Sequence, residues 1–435
     1  MKYQFARTDS LFTPLPTELP DFGQAGDLFR DPSFNPTLPP QYTRLTDDQT
    51  FIGWDGSGSN FAVGGAGDDQ HFSLDDRLLW LSNDGAALFV FGLVPETMQS
   101  ALVSQIPIPM TYGNGHFSTI NPNLLYSIDP ATVRLIAIDF EGIWIGSRND
   151  EPPFTVLHDF REDGLEVPTF AGVGAEDTIF TAYFGAQDTA ECHRVAAWHK
   201  RSGKTSILDT LAGTVDGMPV TSEDRFILHG AHLADPRGLW MWLTKSGGGL
   251  YAWAVGSPLL IPLGGPLEYT DGHTAGNAQG FFNNASYSPY APVGYPSLLF
   301  RRWVDFGTAN VVGLNTGDGN ENWIADTHPT TKNDPHGIGG LPVFASTTAP
   351  VTEKAYQNEI VAWQQPGPVF RFGRTFNTGR AEHYSARIAV GSVSQTGNFY
   401  AFTSDAEGTL DGRYDVFVLR LVFQACAKVG KQNYG

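Results

Sequence analysis

Residues 383–421 read HYSARIAVGSVSQTGNFYAFTSDAEGTLDGRYDVFVLRL. The stretch divides into a strand-forming run, a tight turn at Gln395-Thr396-Gly397, an aromatic strand Phe399–Thr403, a polar turn and a strand Tyr414–Leu421. β-Branched and aromatic residues suit a pleated, half-buried surface, and Gly and Asn accept the positive φ that turns demand. The same order recurs upstream. His71–Ser73 leads through Asp75-Asp76 to Leu78–Leu81 and Ala87–Phe91. His116–Ser118 leads through Asn121-Pro122-Asn123 to Leu124–Ile128 and Val133–Asp139, and Pro168–Gly172 leads through Glu176-Asp177 to Ile179–Phe184 and Arg194–His199. Phe226–Leu233 leads through Asp235-Pro236-Arg237-Gly238 to Leu239–Leu243 and Leu250–Val255. His273–Ala278 leads through Gln279-Gly280 to a looser segment ending near Ser297–Val304, and His336–Gly340 leads to Val343–Ser346 and Glu359–Trp363.

Starts near 71, 116, 168, 226, 273, 336 and 383 give seven units, at the spacing of propeller repeats. A unit of three or four short strands cannot bury both faces alone, so the units must pack on one another, and radial closure leaves no long exposed edge. The expected fold is therefore all-β, a seven-bladed β-propeller closed by an N-terminal strand. The last unit ends at Leu421 with little chain left for an outer strand, whereas Gln41–Asp48 (QYTRLTDD) is an isolated strand-like segment ahead of the first unit. Pairing these two fastens the ring. The expected organisation is an extended N-terminal segment over residues 1–40 on the ring surface, one propeller domain over 41–425, and a tail over 426–435.

Composition agrees with many short strands and turns: 49 Gly, 29 Pro, 13% aromatic and only 17% charged residues. A net charge of −19, from 27 basic and 46 acidic residues, repels phosphate backbones, so no nucleic-acid partner is expected. No run of about 18 apolar residues occurs, so no membrane span is expected. Cys192 and Cys426 form no disulfide framework and no C-x-x-C pair. The start, MKYQFARTD, lacks the apolar core of a secretory signal. Localisation stays open: cytoplasmic, or secreted or periplasmic if a signal has been removed.

TRLTDD at 43–48, GDDQHFSLDDRLLWLSNDG at 67–85, INPNLLYSID at 120–129 and VSQTGNFYAFTSDAEGTLDGRYDVFVLRL at 393–421 resemble bacterial propellers with TolB-like repeats and their "S-x-D-G-x-x-x-x-F-x-S-D" phrase. The resemblance covers roughly residues 23–421 and implies architecture, not activity. The chain departs from the phrase at Asn121 and Gln395, and the fifth and sixth units lack most of it.

Seven histidines, His71, His116, His229, His232, His273, His336 and His383, fall on or just before the first strand of a unit. In a propeller that strand lines the channel. A repeated His can be a structural signature bonded to the neighbouring blade. It can also build an axial site, because imidazole is both a common metal ligand and the side chain best suited to proton transfer near neutral pH. Candidate ligands for one divalent ion (Mn, Ca, Zn or Fe) are His229, His232, His273, His336 and His383. His229 and His232 face opposite ways on a regular strand, so both reach one ion only if Gly230 permits a bulge. Acids beside these strands, Asp69, Asp271, Asp334 and Glu382, are placed to orient an imidazole. In form the chain is similar to propeller-type oligogalacturonate lyases, which use channel-mouth His, Arg and Tyr with an assisting metal. That similarity implies His229, His383, Arg387 and Tyr384 as catalytic candidates. Two readings follow: a metal-assisted, lyase-like enzyme acting on an acidic polysaccharide, or a non-catalytic propeller holding a carbohydrate or protein ligand at the channel mouth.

Overall fold

A computed structural model describes residues 3, 6–9, 11–50, 61–63, 69–83, 87–106, 115–233, 235–262, 274–276, 280–285, 300–305, 311–313, 326–334, 341–348, 356, 358–363, 369–377, 390–410 and 413–422. The named strands gather into seven sheets, and every strand pair in them is antiparallel. The first sheet holds Phe61–Ala62, Leu78–Asn83, Ala87–Leu93 and Ser100–Ile106; the second holds Gly115–Phe117, Leu124–Asp129, Arg134–Asp139 and Phe154–Asp159. The third runs Pro168–Val173, Ile179–Phe184, Arg194–His199 and Lys204–Asp209, extended by Thr214–Val215 and Met218–Pro219. The fourth contains Leu228–Leu233, Trp240–Lys245, Leu250–Ala254 and Leu260–Pro262. The fifth contains Thr274–Gly276, Gly280–Ala285, Phe300–Asp305 and Val311–Gly313, and the sixth Asp326–Thr330, Val343–Thr348, Glu359–Trp363 and Val369–Arg374. The seventh joins both ends of the chain: Gly391–Val393, Phe399–Ser404 and Asp415–Arg420, then Gln41–Arg44 and Leu28–Arg30.

Alternation along each strand feeds two cores at once. Leu79 and Leu81 pack with Val416 and Val418 of the seventh sheet, while Leu78 and Trp80, one residue out of phase, pack with Phe117, Ile136 and Ile138 of the second. In the third sheet Ala196 and Trp198 face the second, and Val195 and Ala197 face the fourth. Successive side chains of a strand point to opposite faces, so such runs are apolar on both. Sheet faces approach closely where the side chain is absent. At Gly172, where φ is +149°, an added Cβ would lie 2.7 Å from Cβ of Leu233 on the first strand of the fourth sheet.

The expected closure is present. Tyr42, Thr43 and Arg44 pair with Leu419, Val418 and Phe417. Arg44 binds the fully buried Asp415 at 2.5 Å, and Thr46 Oγ1 donates to the other carboxylate oxygen at 3.1 Å. Outside Gln41–Arg44 lies a further strand, Leu28–Arg30, which the sequence does not announce. Residues ahead of it are tied down by a buried arginine, Arg371, which pairs with Glu359 and also binds Asp9 Oδ1 at 2.8 Å. Guanidiniums of Arg7, Arg371 and Arg374 all sit 5.2–5.7 Å from the Phe34 ring centre.

In the sixth sheet the first strand is Asp326–Thr330, paired with Val343–Thr348 from Thr330↔Phe344 to Asp326↔Thr348. The expected first strand, His336–Gly340, therefore comes after the real one in chain order, and its own residues lie outside the described ones. Polar DTHPT, with a Pro inside, gives little strand signal.

Removing one partner of a buried ion pair leaves an uncompensated charge. Asp415→Ala should therefore lower unfolding free energy by about 3–5 kcal/mol in urea melts. A chain starting at residue 50, which lacks the closing strand altogether, should lose at least as much; unchanged melting of both would contradict this account of closure.

Candidate functional site

The first strands of the second, third, fourth and sixth sheets end at one small cavity. Gln70, His116, Thr119, Leu233, Lys332 and Asp334 line its wall, and residues meeting from so many sheets mark the axis. Its volume is about 30 Å³, room for roughly two water molecules.

On this axis Asp69 Oδ1 lies 3.0 Å from His116 Nε2, both side chains being buried. The contact is not aligned as a hydrogen bond, and Asp69 Oδ2 is also buried without a hydrogen-bond partner among the described residues. Gln70 N–H donates to His116 Nδ1 at 3.2 Å. In a neutral ring the proton must then sit on Nε2, toward Asp69. Burial drives His116 below the ordinary imidazole range despite the pull of Asp69, and the charge of Lys332 adds to the fall. Burial works to raise Asp69, but contact with His116 and the charges of His71 and Lys332 outweigh it and keep the carboxyl below its usual range. The pair is thus a carboxylate beside a neutral imidazole whose Nδ1 lone pair is taken by the Gln70 N–H and whose Nε2 carries the proton. His116 has no free lone pair with which to accept a proton from a substrate.

Two other channel histidines are held by tryptophan. His71 stacks on Trp80 at 4.0 Å and 21°, its Nδ1 2.9 Å from the Trp80 carbonyl oxygen. His232 stacks on Trp242 at 4.4 Å and 13°. Burial pushes His232 down to about 4, so it too stays neutral. In these two sheets the repeated histidine performs a packing task.

His229 differs. The register of Leu228–Leu233 against Trp240–Lys245 slips between Leu228 and Gly230, the irregularity expected at Gly230. His229 stands at the slip, at the end of the strand away from the cavity, and its Nδ1 meets Asp188 Oδ2 at 2.9 Å. Gln187 Nε2 lies 3.2 and 3.3 Å from the two ring nitrogens. The slip does not give His229 and His232 one environment: one ring is half exposed against Asp188, the other packed on Trp242.

His273, His336, His383, Tyr384 and Arg387 lie outside the described residues. Among the described residues no three His, Cys, Asp or Glu side chains gather to hold a metal. The axial pair offers one imidazole and one carboxylate, with the ammonium of Lys332 near enough to act on both. That donor set does not fit a divalent cation, which takes four or more ligands. Cys192 is a free buried thiol that burial pushes up to about 12. Asp69, expected to orient its own neighbour His71, instead meets the histidine of the next sheet. Lys332 and Asp188 carried no signal in the sequence, since an isolated Lys or Asp in a polar run reads as a solvated loop.

Chain-wide similarity accompanies this geometry. An oligogalacturonate lyase in complex with manganese superimposes with a TM-score of 0.54 at 10% identity, over 92% of this chain and 98% of that one. An oligogalacturonate lyase from Vibrio parahaemolyticus gives 0.52 at 12% identity, over 91% and 98%. The fold is that of a β-propeller. No family model matches the sequence, and no curated protein matches it. At this identity the likeness carries the propeller fold and leaves chemistry to the residues. Among the described residues no helix is long and apolar enough to cross a membrane.

The depressed His232 has a consequence for acid stability. Its folded value of about 4 lies below the unfolded one, near 6.5. As pH falls from 6.5 to 4 the unfolded chain takes up the proton first, so stability falls, by up to about 3 kcal/mol. Asp76, pushed up to about 6 by burial, acts in the opposite sense. The difference between wild type and His232→Phe, which keeps a ring on Trp242, isolates the histidine. Urea melts across this window should show a shallower loss for the variant, and parallel curves would refute the assignment.

Proposed function

We propose that the seven sheets are the blades of one closed ring, and that this propeller acts on an acidic polysaccharide by elimination at the face where the first strands begin. The observation that carries this reading is the end-to-end likeness to two oligogalacturonate lyases, which spans at least 91% of this chain. Chain order adds support. His273 directly precedes the strand Thr274–Gly276, and His383, Tyr384 and Arg387 precede Gly391–Val393. They therefore lead into their first strands as His229 does, whereas His336 follows its own.

The proton α to a uronate carboxylate becomes removable when that carboxylate is neutralised, and a guanidinium does this by paired hydrogen bonds. In this reading Arg387 binds the carboxylate, and His229 or His383 takes the proton with Tyr384 beside it. A divalent ion, if one is held, draws its ligands from His273 and His383, which lead into their strands at that face, rather than from His336 or the axial Asp69–His116 pair. A second reading has its own observation: His71, His116 and His232 are engaged in packing, as in a propeller whose faces bind a glycan or protein without catalysis.

Elimination leaves a conjugated double bond, so uronate polymers screened with added Mn, Ca or Zn should give a rise in ultraviolet absorbance. His383→Ala and Arg387→Ala should each lower that rise by about 10²-fold or more with the fold intact. Metal analysis of the same preparation should find one ion per chain. No absorbance on any uronate polymer, together with a metal-free protein, would transfer the case to the binding reading.

A further inference from the structure

We propose that Asp188 is the positioning residue for His229, holding its proton on Nδ1 and leaving Nε2 as the proton-accepting atom. This rests on the elimination reading for its use, and on geometry alone for the tautomer. The dyad joins two sheets: Asp188 belongs to the connection between the second and third strands of the third sheet, His229 to the first strand of the fourth.

Four features separate this pair from an ordinary surface ion pair, which contributes little. First, the connection is stitched to the strand on either side of His229's neighbour: Asp188 N–H donates to Leu228 O at 3.1 Å, and Leu228 N–H donates to Cys192 O at 2.7 Å. Second, Asp188 holds a positive φ of 61°, a conformation that a non-glycine residue keeps only when its surroundings over-determine it. Third, the Asp188 carboxylate stays below the ordinary carboxyl range: burial works to raise it, while His229 and the nearby Ser246 hydroxyl prevail. Fourth, the strand slips at His229, and slips of this kind re-aim a side chain.

A carboxylate has no proton to give, so the 2.9 Å contact requires Nδ1–H as donor. Nε2 then carries the lone pair. Exposure of 42% at His229 and 46% at Asp188 leaves the ring open to solvent. Gln187 Nε2 lies 3.2 Å from Nδ1 and 3.3 Å from Nε2; with the proton on Nδ1 it can donate only to Nε2, and, being exposed as well, it can be displaced by a substrate. In the elimination, Nε2 takes the hydrogen α to the uronate carboxylate, and the C–H electron pair becomes the new carbon–carbon double bond. The β carbon–oxygen bond breaks, and the departing oxygen takes a proton from water. The imidazolium so formed stays beside Asp188, which stabilises it as an acid partner stabilises a catalytic histidine.

The test uses the full chain with ¹⁵N-labelled histidine, observed near pH 8.5, above the ordinary imidazole range, with His229→Gln assigning the signal. Two-bond ¹⁵N–¹H correlations should show Nδ1–H at His229 in the wild type and a change to Nε2–H in Asp188→Ala, an exposed replacement that leaves the fold unchanged. On a uronate polymer that the wild type cleaves, Asp188→Ala should lower kcat by roughly 10²–10⁴-fold with KM little altered. An Nε2–H signal in the wild type, or no tautomer change in the variant, overturns the proposal whatever the activity. A wild type that has the Nδ1–H signal and cleaves no uronate polymer upholds the dyad and removes the elimination reading.

Discussion

Four residues near the start of the chain decide whether everything else closes. Gln41–Arg44 must lie against Asp415–Arg420, because the seventh sheet otherwise ends in an open row of backbone donors and acceptors. Hydrogen bonds alone leave register loosely specified in a short strand; Arg44 and Thr46 on Asp415 fix it, since a one-residue slip would take both off the buried carboxylate and leave it to Arg413 alone. The seventh, first, second and third sheets each find a neighbour for both faces, which is why their inner strands are apolar on successive residues.

Buried acids at the turns add a second kind of fastening. Asp177, in the turn of the third sheet, accepts from Ser118 Oγ at 2.6 Å, from Thr119 N–H at 3.0 Å and from Tyr126 OH at 2.6 Å, all in the second. Asp76, in the turn of the first sheet, accepts from Thr396 in the seventh. Both acids stand at the positive-φ position of their turns, where one sheet can hold the hydroxyls of another. Gln395, which departs from the phrase, does related work as a donor, reaching Phe72 O at 3.1 Å and Ser118 O at 2.9 Å.

Local signals were legible and crossings between sheets were not. Arg194–His199 and Ile179–Phe184 stand where their alternation puts them, because turn residues bound them on both sides. Leu28–Arg30 and Asp326–Thr330 escape notice because three residues, or a polar run with Pro329, resemble loop until a partner strand is known. At the candidate site the histidines could be read from the spacing of units, and their roles could not. Asp69 serves His116 and Asp188 serves His229 across sheet boundaries, and no spacing along one strand reveals a partner on another.

The closing strand also sets a schedule for biosynthesis. Arg44 leaves the ribosome long before Asp415, and at about 5–20 residues per second the intervening chain takes roughly 20–70 s to make. Throughout that interval the strand can pair with Leu28–Arg30 on one edge only, and its other edge waits for Asp415–Arg420. Brevity and a charge are what keep such an edge from recruiting the wrong neighbour, and this one spans four residues and carries Arg44. The residue that fastens the two ends of the chain thus guards the first of them until the second arrives.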